Sequence, residues 1–264
     1  MRRWRSLGVV VGLLAAGCAA PGWRDVVFQT STIDALLAGV YDGDLECGRL
    51  RDHGDLGIGT FDGLDGEMVL LDGVVYQVRA DGKVYRPEPS MRTPFATVCR
   101  FEPQSSFDIS AGSDFAVVQK LIDDVMPNQN IFIAIRITGR FHSMRTRSVP
   151  RQSRPYPPLH QVTQHQPEFE MRDVSGTIVG FRSPAYVKGI NVPGYHLHFI
   201  TDDRSRGGHI LSLEVAAARC EVDPLYRFFL RLPESDTGFA ETDLTRDRSR
   251  ELQDVELGRD RPNY

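Results

Sequence analysis

Gly194-Tyr195-His196-Leu197-His198-Phe199-Ile200-Thr201-Asp202-Asp203-Arg204-Ser205-Arg206-Gly207-Gly208-His209 begins as an alternating run and then breaks into turn residues. Successive side chains of a β-strand point to opposite faces, so His196 and His198 project together while Leu197 and Phe199 enter the other layer. The link from Thr201 to Gly208 is rich in Asp, Ser and Gly; it folds a second strand back beside the first and brings His209 near His198. Three of the chain's seven histidines thus meet on one hairpin. Three neutral imidazoles leave at least one coordination position open on a zinc-like ion, the pattern of a catalytic centre and not of a closed structural one. An ion held so polarises a substrate oxygen and acidifies bound water. His53, His142, His160 and His165 lack such spacing and read as exposed or hydrogen-bonded side chains.

Outward from the hairpin, Gly176 to Phe181 and His209 to Val215 are further strands, and the β-branched run Ile131 to Gly139 reads as a strand buried on at least one face. Upstream, Gly54 to Phe61 and Gly63 to Val78 give a meander of short strands punctuated by Asp and Gly. Two helices interrupt the strands. One short amphipathic helix is expected within Ser31 to Leu50, where Ile33, Leu36, Leu37 and Val40 share a face behind a Ser31-Thr32 cap. The other is expected over Ser113 to Val125, from Phe115, Val118, Leu121, Ile122 and Val125. Pro150, Pro155, Pro157 and Pro158 remove amide donors, so regular structure is disfavoured there. A domain join is placed just beyond them, dividing residues 28–165 from a β-rich, metal-binding half at 166–264. After Pro233 the tail is polar and charged, and by composition reads as mobile.

A chain of 264 residues, 41% hydrophobic and 25% charged, has the balance of a globular protein with one large core or two small ones. Its 31 basic and 35 acidic residues leave a formal charge of −4, which excludes a polyanion-binding face and with it a nucleic-acid partner. Residues 1–23 stand apart as a signal peptide: Arg2, Arg3 and Arg5, then an apolar run from Leu7 to Gly17 too short to span a bilayer as a helix. Ala15-Ala16-Gly17-Cys18 resembles a bacterial lipoprotein box, with the usual Leu shifted to Leu14. It implies a lipid anchor at Cys18 on an exported, periplasmic or membrane-anchored protein; the alternative is simple cleavage near Ala19-Ala20 and secretion. Cys47, Cys99 and Cys220 remain, an odd set with no Cys-x-x-Cys spacing, and read as buried free thiols.

The run Gly194 to Arg204 followed by Gly207-Gly208-His209 resembles the signature of bacterial alpha-acetolactate decarboxylases. Three more blocks agree: Gly54 to Phe61 with Asp65-Gly66-Glu67, Thr146-Arg147-Ser148-Val149-Pro150, and Gly176 to Phe181 leading into Gly189-Ile190-Asn191-Val192. The resemblance runs from about Gln29 onward. It implies a dimeric two-domain α/β (α+β-like) protein, with a mixed sheet in the N-terminal half and a small β-barrel-like C-terminal half. It implies zinc-dependent conversion of (S)-2-acetolactate to (R)-acetoin and carbon dioxide. The metal-binding histidines fall on His196, His198 and His209, the active-site arginine on Arg147, one glutamate on Glu67 and a nearby threonine on Thr60. A second glutamate falls on Glu256, with Glu251 as the fallback register.

These residue types suit the reaction. Loss of carbon dioxide leaves an electron pair that the ketone must accept, which a Lewis-acidic zinc favours. Arg147 can hold the departing carboxylate by a two-pronged fork, and the glutamates can manage protons. Two departures stand out: Cys47, and Arg182 where an aromatic residue is expected. Two other readings compete. A cupin-like isomerase or oxygenase also starts from His-x-His, with Asp202 as a carboxylate ligand, though its later histidine sits on a more distant strand. A non-catalytic, metal-binding lipoprotein would need neither Arg147 nor Glu67.

Overall fold

A computed structural model describes residues 23–234 and 237–257. The signal segment and Cys18 lie outside the described residues. The first half runs through β1 (Val26–Thr30), α1 (Ile33–Leu37), β2 (Leu45–Glu46), β3 (Leu56–Thr60), β4 (Glu67–Leu71), β5 (Val74–Val78), β6 (Val84–Tyr85), β7 (Arg92–Thr93), β8 (Ala96–Cys99) and β9 (Ser105–Ile109). Then follow α2 (Phe115–Val125), β10 (Phe132–Arg147), α3 (Leu159–Thr163), β11 (Glu168–Ser183), β12 (Gly194–Thr201), β13 (Gly207–Leu225), β14 (Arg227–Arg231) and α4 (Ser249–Leu257).

One sheet has seven strands in the order β14-β1-β8-β3-β4-β5-β6. It is mixed, because β14 runs parallel to β1 and β8 antiparallel to it. The second has the order β10-β11-β12-β13-β9, and β10 also pairs with β13, which closes four strands into a small barrel. The mixed sheet and the barrel-like half are as the sequence implied. Sheet membership crosses residues 165 and 166 in both directions: β9 and β10 belong to the barrel sheet, and β14 returns to the first.

The period of two along β10 explains how the layers meet. Ile133, Ile135 and Ile137 join Ile178, Leu197 and Phe199 inside the barrel. Phe132 and Ala134 join Val179, Phe181 and Ile200 on its outer face, where they pack against Leu56, Ile58, Val69 and Leu71 of the seven-stranded sheet. Burial on both faces accounts for the unbroken β-branched run. Helix α2 begins where the Asp114 side chain accepts from Val117 N, and buries Val118 and Ile122 against the barrel core.

Two expectations are corrected. The helix expected within Ser31 to Leu50 ends at Leu37, although Thr32 caps it as read. Gly39 has φ +98°, where a Cβ would also meet the Pro157 carbonyl at 3.3 Å, and this left-handed turn stops the helix. Turn and coil, strand β2 and a 3₁₀ segment, Cys47–Asp52, follow it. The tail is not structureless: α4 buries Leu252 and Val255 against α1 and α3. Average polarity hid this pair three residues apart, which lies on one helix face.

Cys47, Cys99 and Cys220 are buried and free, as read. Arg182 is 2% exposed; it pairs with Asp123 and donates to the Met126 and Asn128 carbonyls, satisfying groups that follow the end of α2. An aromatic ring could not do this.

Asp223, on β13, is 1% exposed, and burial pushes its carboxyl up to about 6 against a usual 3.8. One oxygen accepts from Glu102 N; the other is buried without a partner. An acid whose folded value is raised favours the fold below its unfolded value, and that contribution is lost as pH rises through about 6. Asp223→Asn keeps an acceptor for Glu102 N. It is expected to be more stable than the parent at pH 7 by on the order of 2 kcal/mol, with the gap closing toward pH 4. Denaturant titrations at the two pH values check this, and equal stability at pH 7 would refute it.

Candidate active site

Register brings the site together. His198 on β12 lies opposite His209 on β13, and His209 lies opposite Arg147 on β10. Directly paired residues share a face, so an imidazole, an imidazole and a guanidinium stand in a row across three strands. His196 follows two residues before His198 on the same face. Gly208 makes the tight approach possible: at φ +137°, a Cβ there would meet the Arg147 carbonyl at 2.4 Å.

The three rings have centroids 5.0 to 5.4 Å apart, and one nitrogen from each lies within 4.8 Å of the others. They face the seven-stranded sheet and not the barrel core. His198 is 1% exposed, and its Nδ1 lies 2.8 Å from the Met68 carbonyl of β4. A carbonyl only accepts, so Nδ1 carries the hydrogen and Nε2 presents a lone pair. That Nε2 is buried without a hydrogen-bond partner, a costly arrangement unless another group takes the lone pair. Burial and the Arg147 charge push His196 down to about 3, and burial holds His198 and His209 well below the usual imidazole value. All three are neutral at physiological pH, as ligands must be. The donor set therefore fits a divalent ion.

The sheet supplies the opposite wall. Glu67 opens β4, paired across to Thr60 of β3 and Val78 of β5. Its loop is fixed by the Thr60 hydroxyl, which donates to the Gly66 carbonyl at 2.7 Å, and by Gln77, whose amide donates to the Asp65 carbonyl at 2.6 Å. Thr60 thus spends its hydrogen on the backbone and offers the pocket only acceptor capacity. Glu67 lies 3.6 Å from His198 Nε2, and Glu256 on α4 lies 3.7 Å from His209 Nε2. These gaps are too long for hydrogen bonds, and the imidazoles are neutral, so neither pair is a salt bridge. Burial pushes each glutamate up to about 7, and Arg147 opposes the shift.

Glu251 is elsewhere, pairing with Arg248 at 2.9 Å and facing His160. The tail register that reaches the histidines is therefore the one with Glu256. Asp202 is exposed in the hairpin turn and is no part of the cluster, which removes the cupin-like ligand set. Glu67, Thr60, Arg147, Glu256, His196 and His209 line one pocket, walled otherwise by apolar side chains such as Leu36, Phe95, Leu159 and Val255. Sequence reading missed two partners, the Met68 carbonyl on His198 and the Gln166 amide on Arg147. No residue-type signal marks a main-chain acceptor, and Gln166 follows a Pro-rich stretch with no motif.

The family model described as "Alpha-acetolactate decarboxylase" matches residues 27–246. The alpha-acetolactate decarboxylase of Methanosarcina mazei is 47% identical over 88% of this chain and 80% of its own length, and that of Brevibacillus brevis 41% identical over 92% and 85%. The crystal structure of the Bacillus subtilis alpha-acetolactate decarboxylase superposes with a TM-score of 0.85 at 38% identity, covering 88% of this chain and 99% of that one. A shared fold and a shared sequence over most of both lengths lead to one assignment: the chain belongs to the alpha-acetolactate decarboxylase family of enzymes.

Proposed function

We propose that this enzyme is zinc-dependent and converts (S)-2-acetolactate to (R)-acetoin and carbon dioxide in the pocket between the barrel and the sheet. The observation that supports the reading best is the orphaned Nε2 of His198 amid neutral imidazoles, with Glu67 beside it and Glu256 beside His209 in a pocket that Arg147 also lines. His196, His198 and His209 would hold the zinc, which supplies Lewis-acid polarisation of substrate oxygens.

The chain's own groups do the rest. Arg147, with a buried and unpartnered Nε, holds the substrate carboxylate and orients the bond that breaks. Glu67 and Glu256, poised near neutrality by burial, are matched to proton transfer at pH 7: one takes the hydroxyl proton and returns it to the product oxygen, and the other delivers to carbon the proton that replaces carbon dioxide. Their placement on separate elements, β4 and α4, gives the proton a fixed direction of approach, the requirement for a single product hand. The apolar wall excludes water from the carbanionic carbon.

Purified protein supplied with racemic acetolactate is expected to form acetoin in a colour assay, to lose this activity on chelation and to regain it with zinc. Chiral chromatography reads the hand of the product. Acetoin no faster than the spontaneous background would sink the proposal.

A further inference from the structure

Arg147 is 3% exposed, and a buried guanidinium ordinarily sits against a carboxylate. Arg182, also buried, follows that habit with Asp123, as do the half-buried Arg136, Arg145 and Arg231 with Glu221, Glu168 and Asp44. Arg147 does not. Its Nη1 donates at 2.7 Å to the amide oxygen of Gln166, which is itself 6% exposed, while its Nε is buried with no partner among the described residues. Glu67 and Glu256 feel its charge, yet neither is paired with it among the described residues.

The path of the chain secures this contact. β10 ends at Arg147, which lies opposite Glu168 at the start of β11. Between them the chain leaves through the Pro-rich loop and α3, and returns at Gln166, two residues before the register pair. Ser148 N donates to the Pro167 carbonyl at 3.3 Å and Gln166 N to the Thr163 carbonyl at 3.4 Å, so both ends of the excursion are tied.

An amide oxygen and a carboxylate oxygen both accept from a guanidinium, but only the carboxylate cancels its charge. With Nη1 engaged, the Nε and Nη2 edge is the fork left for a planar anion. We propose that Gln166 is the positioning residue of Arg147: its neutral side chain aims the guanidinium edge into the pocket and leaves the positive charge available to the substrate carboxylate. This rests on the reading of Arg147 as the carboxylate holder.

Gln166→Glu is nearly isosteric, keeps the acceptor and adds a competing charge. It is expected to keep its metal content and at least the parent Tm, while KM rises roughly 10- to 100-fold and kcat changes far less, as lost ground-state binding requires. Calorimetric titration with 2-hydroxy-2-methylpropanoate, which has the carboxylate and tertiary hydroxyl but cannot react, is expected to show the same loss of affinity. Gln166→Met removes the acceptor without adding charge, so kcat falls as the guanidinium loses its aim, a fall that Gln166→Glu does not share. Parent-like KM and parent-like affinity for the inert acid in Gln166→Glu would overturn the proposal, because a merely structural amide would tolerate that change. Arg147→Lys in the same assay separates the two readings. If it behaves as the parent, the role given to Arg147 fails. If it loses turnover while Gln166→Glu is parent-like, only the role given to Gln166 fails.

Discussion

Replacing His198 by alanine is expected to remove bound metal and turnover together. His198 is the most enclosed of the three imidazoles, and the Met68 carbonyl fixes its ring so that Nε2 faces the cluster. Such an acceptor on the distal nitrogen sets both tautomer and orientation, so the ligand arrives with little entropy left to lose. Without it His196 and His209 form an incomplete set beside an apolar gap. Lewis-acid stabilisation is worth several kcal/mol, which at tenfold per 1.36 kcal/mol corresponds to a fall in kcat/KM of roughly 1,000-fold or more. Metal content after dialysis and acetoin formation are the readouts, with circular dichroism to verify the fold. A variant that keeps stoichiometric metal and measurable turnover would rule out this cluster as the centre.

Arg147→Lys is expected to give the opposite pairing, metal retained and turnover lost. The ligands are untouched, and the positive charge remains at much the same place. What disappears is the planar edge: an ammonium is a compact, strongly hydrated point charge that cannot clamp two carboxylate oxygens at once. The Gln166 oxygen would also attract the new ammonium and draw it from the pocket. A drop in kcat of about 100-fold follows if orientation of the breaking bond is the main loss. Metal-replete enzyme with parent-like kcat would show that charge alone suffices.

Much of this was legible in the chain because the relevant order is local. Alternation at His196 and His198, turn residues before His209 and the apolar face of α2 each follow from spacing within a few residues. The parallel return of β14 to β1 was not legible, nor was the second pairing of β10 with β13, since both join segments about 60 or more positions apart in register. Four elements of the site were named from family motifs and not from chemistry: Glu67, Arg147, Thr60 and Glu256. In isolation Glu67 reads as a turn residue, and Glu256 as one charge in a solvated tail. Only tertiary packing makes them buried acids. The tail was misread because composition averages over α4, whose few apolar residues are concentrated on the side that touches α1 and α3.

The outward-facing histidines have a further consequence. The imidazoles stand on the barrel, whereas Glu67 and Thr60 stand on the sheet and Glu256 on α4, so apart from Arg147 on β10 the groups that shape a substrate are encoded in other stretches of chain than those that hold an ion. Substitutions at Leu36, Leu64 or Phe95 can redraw the outline of an accepted molecule without disturbing any histidine. The seam between the layers is thus a natural place for the selectivity of such an enzyme to diverge while its reaction stays the same.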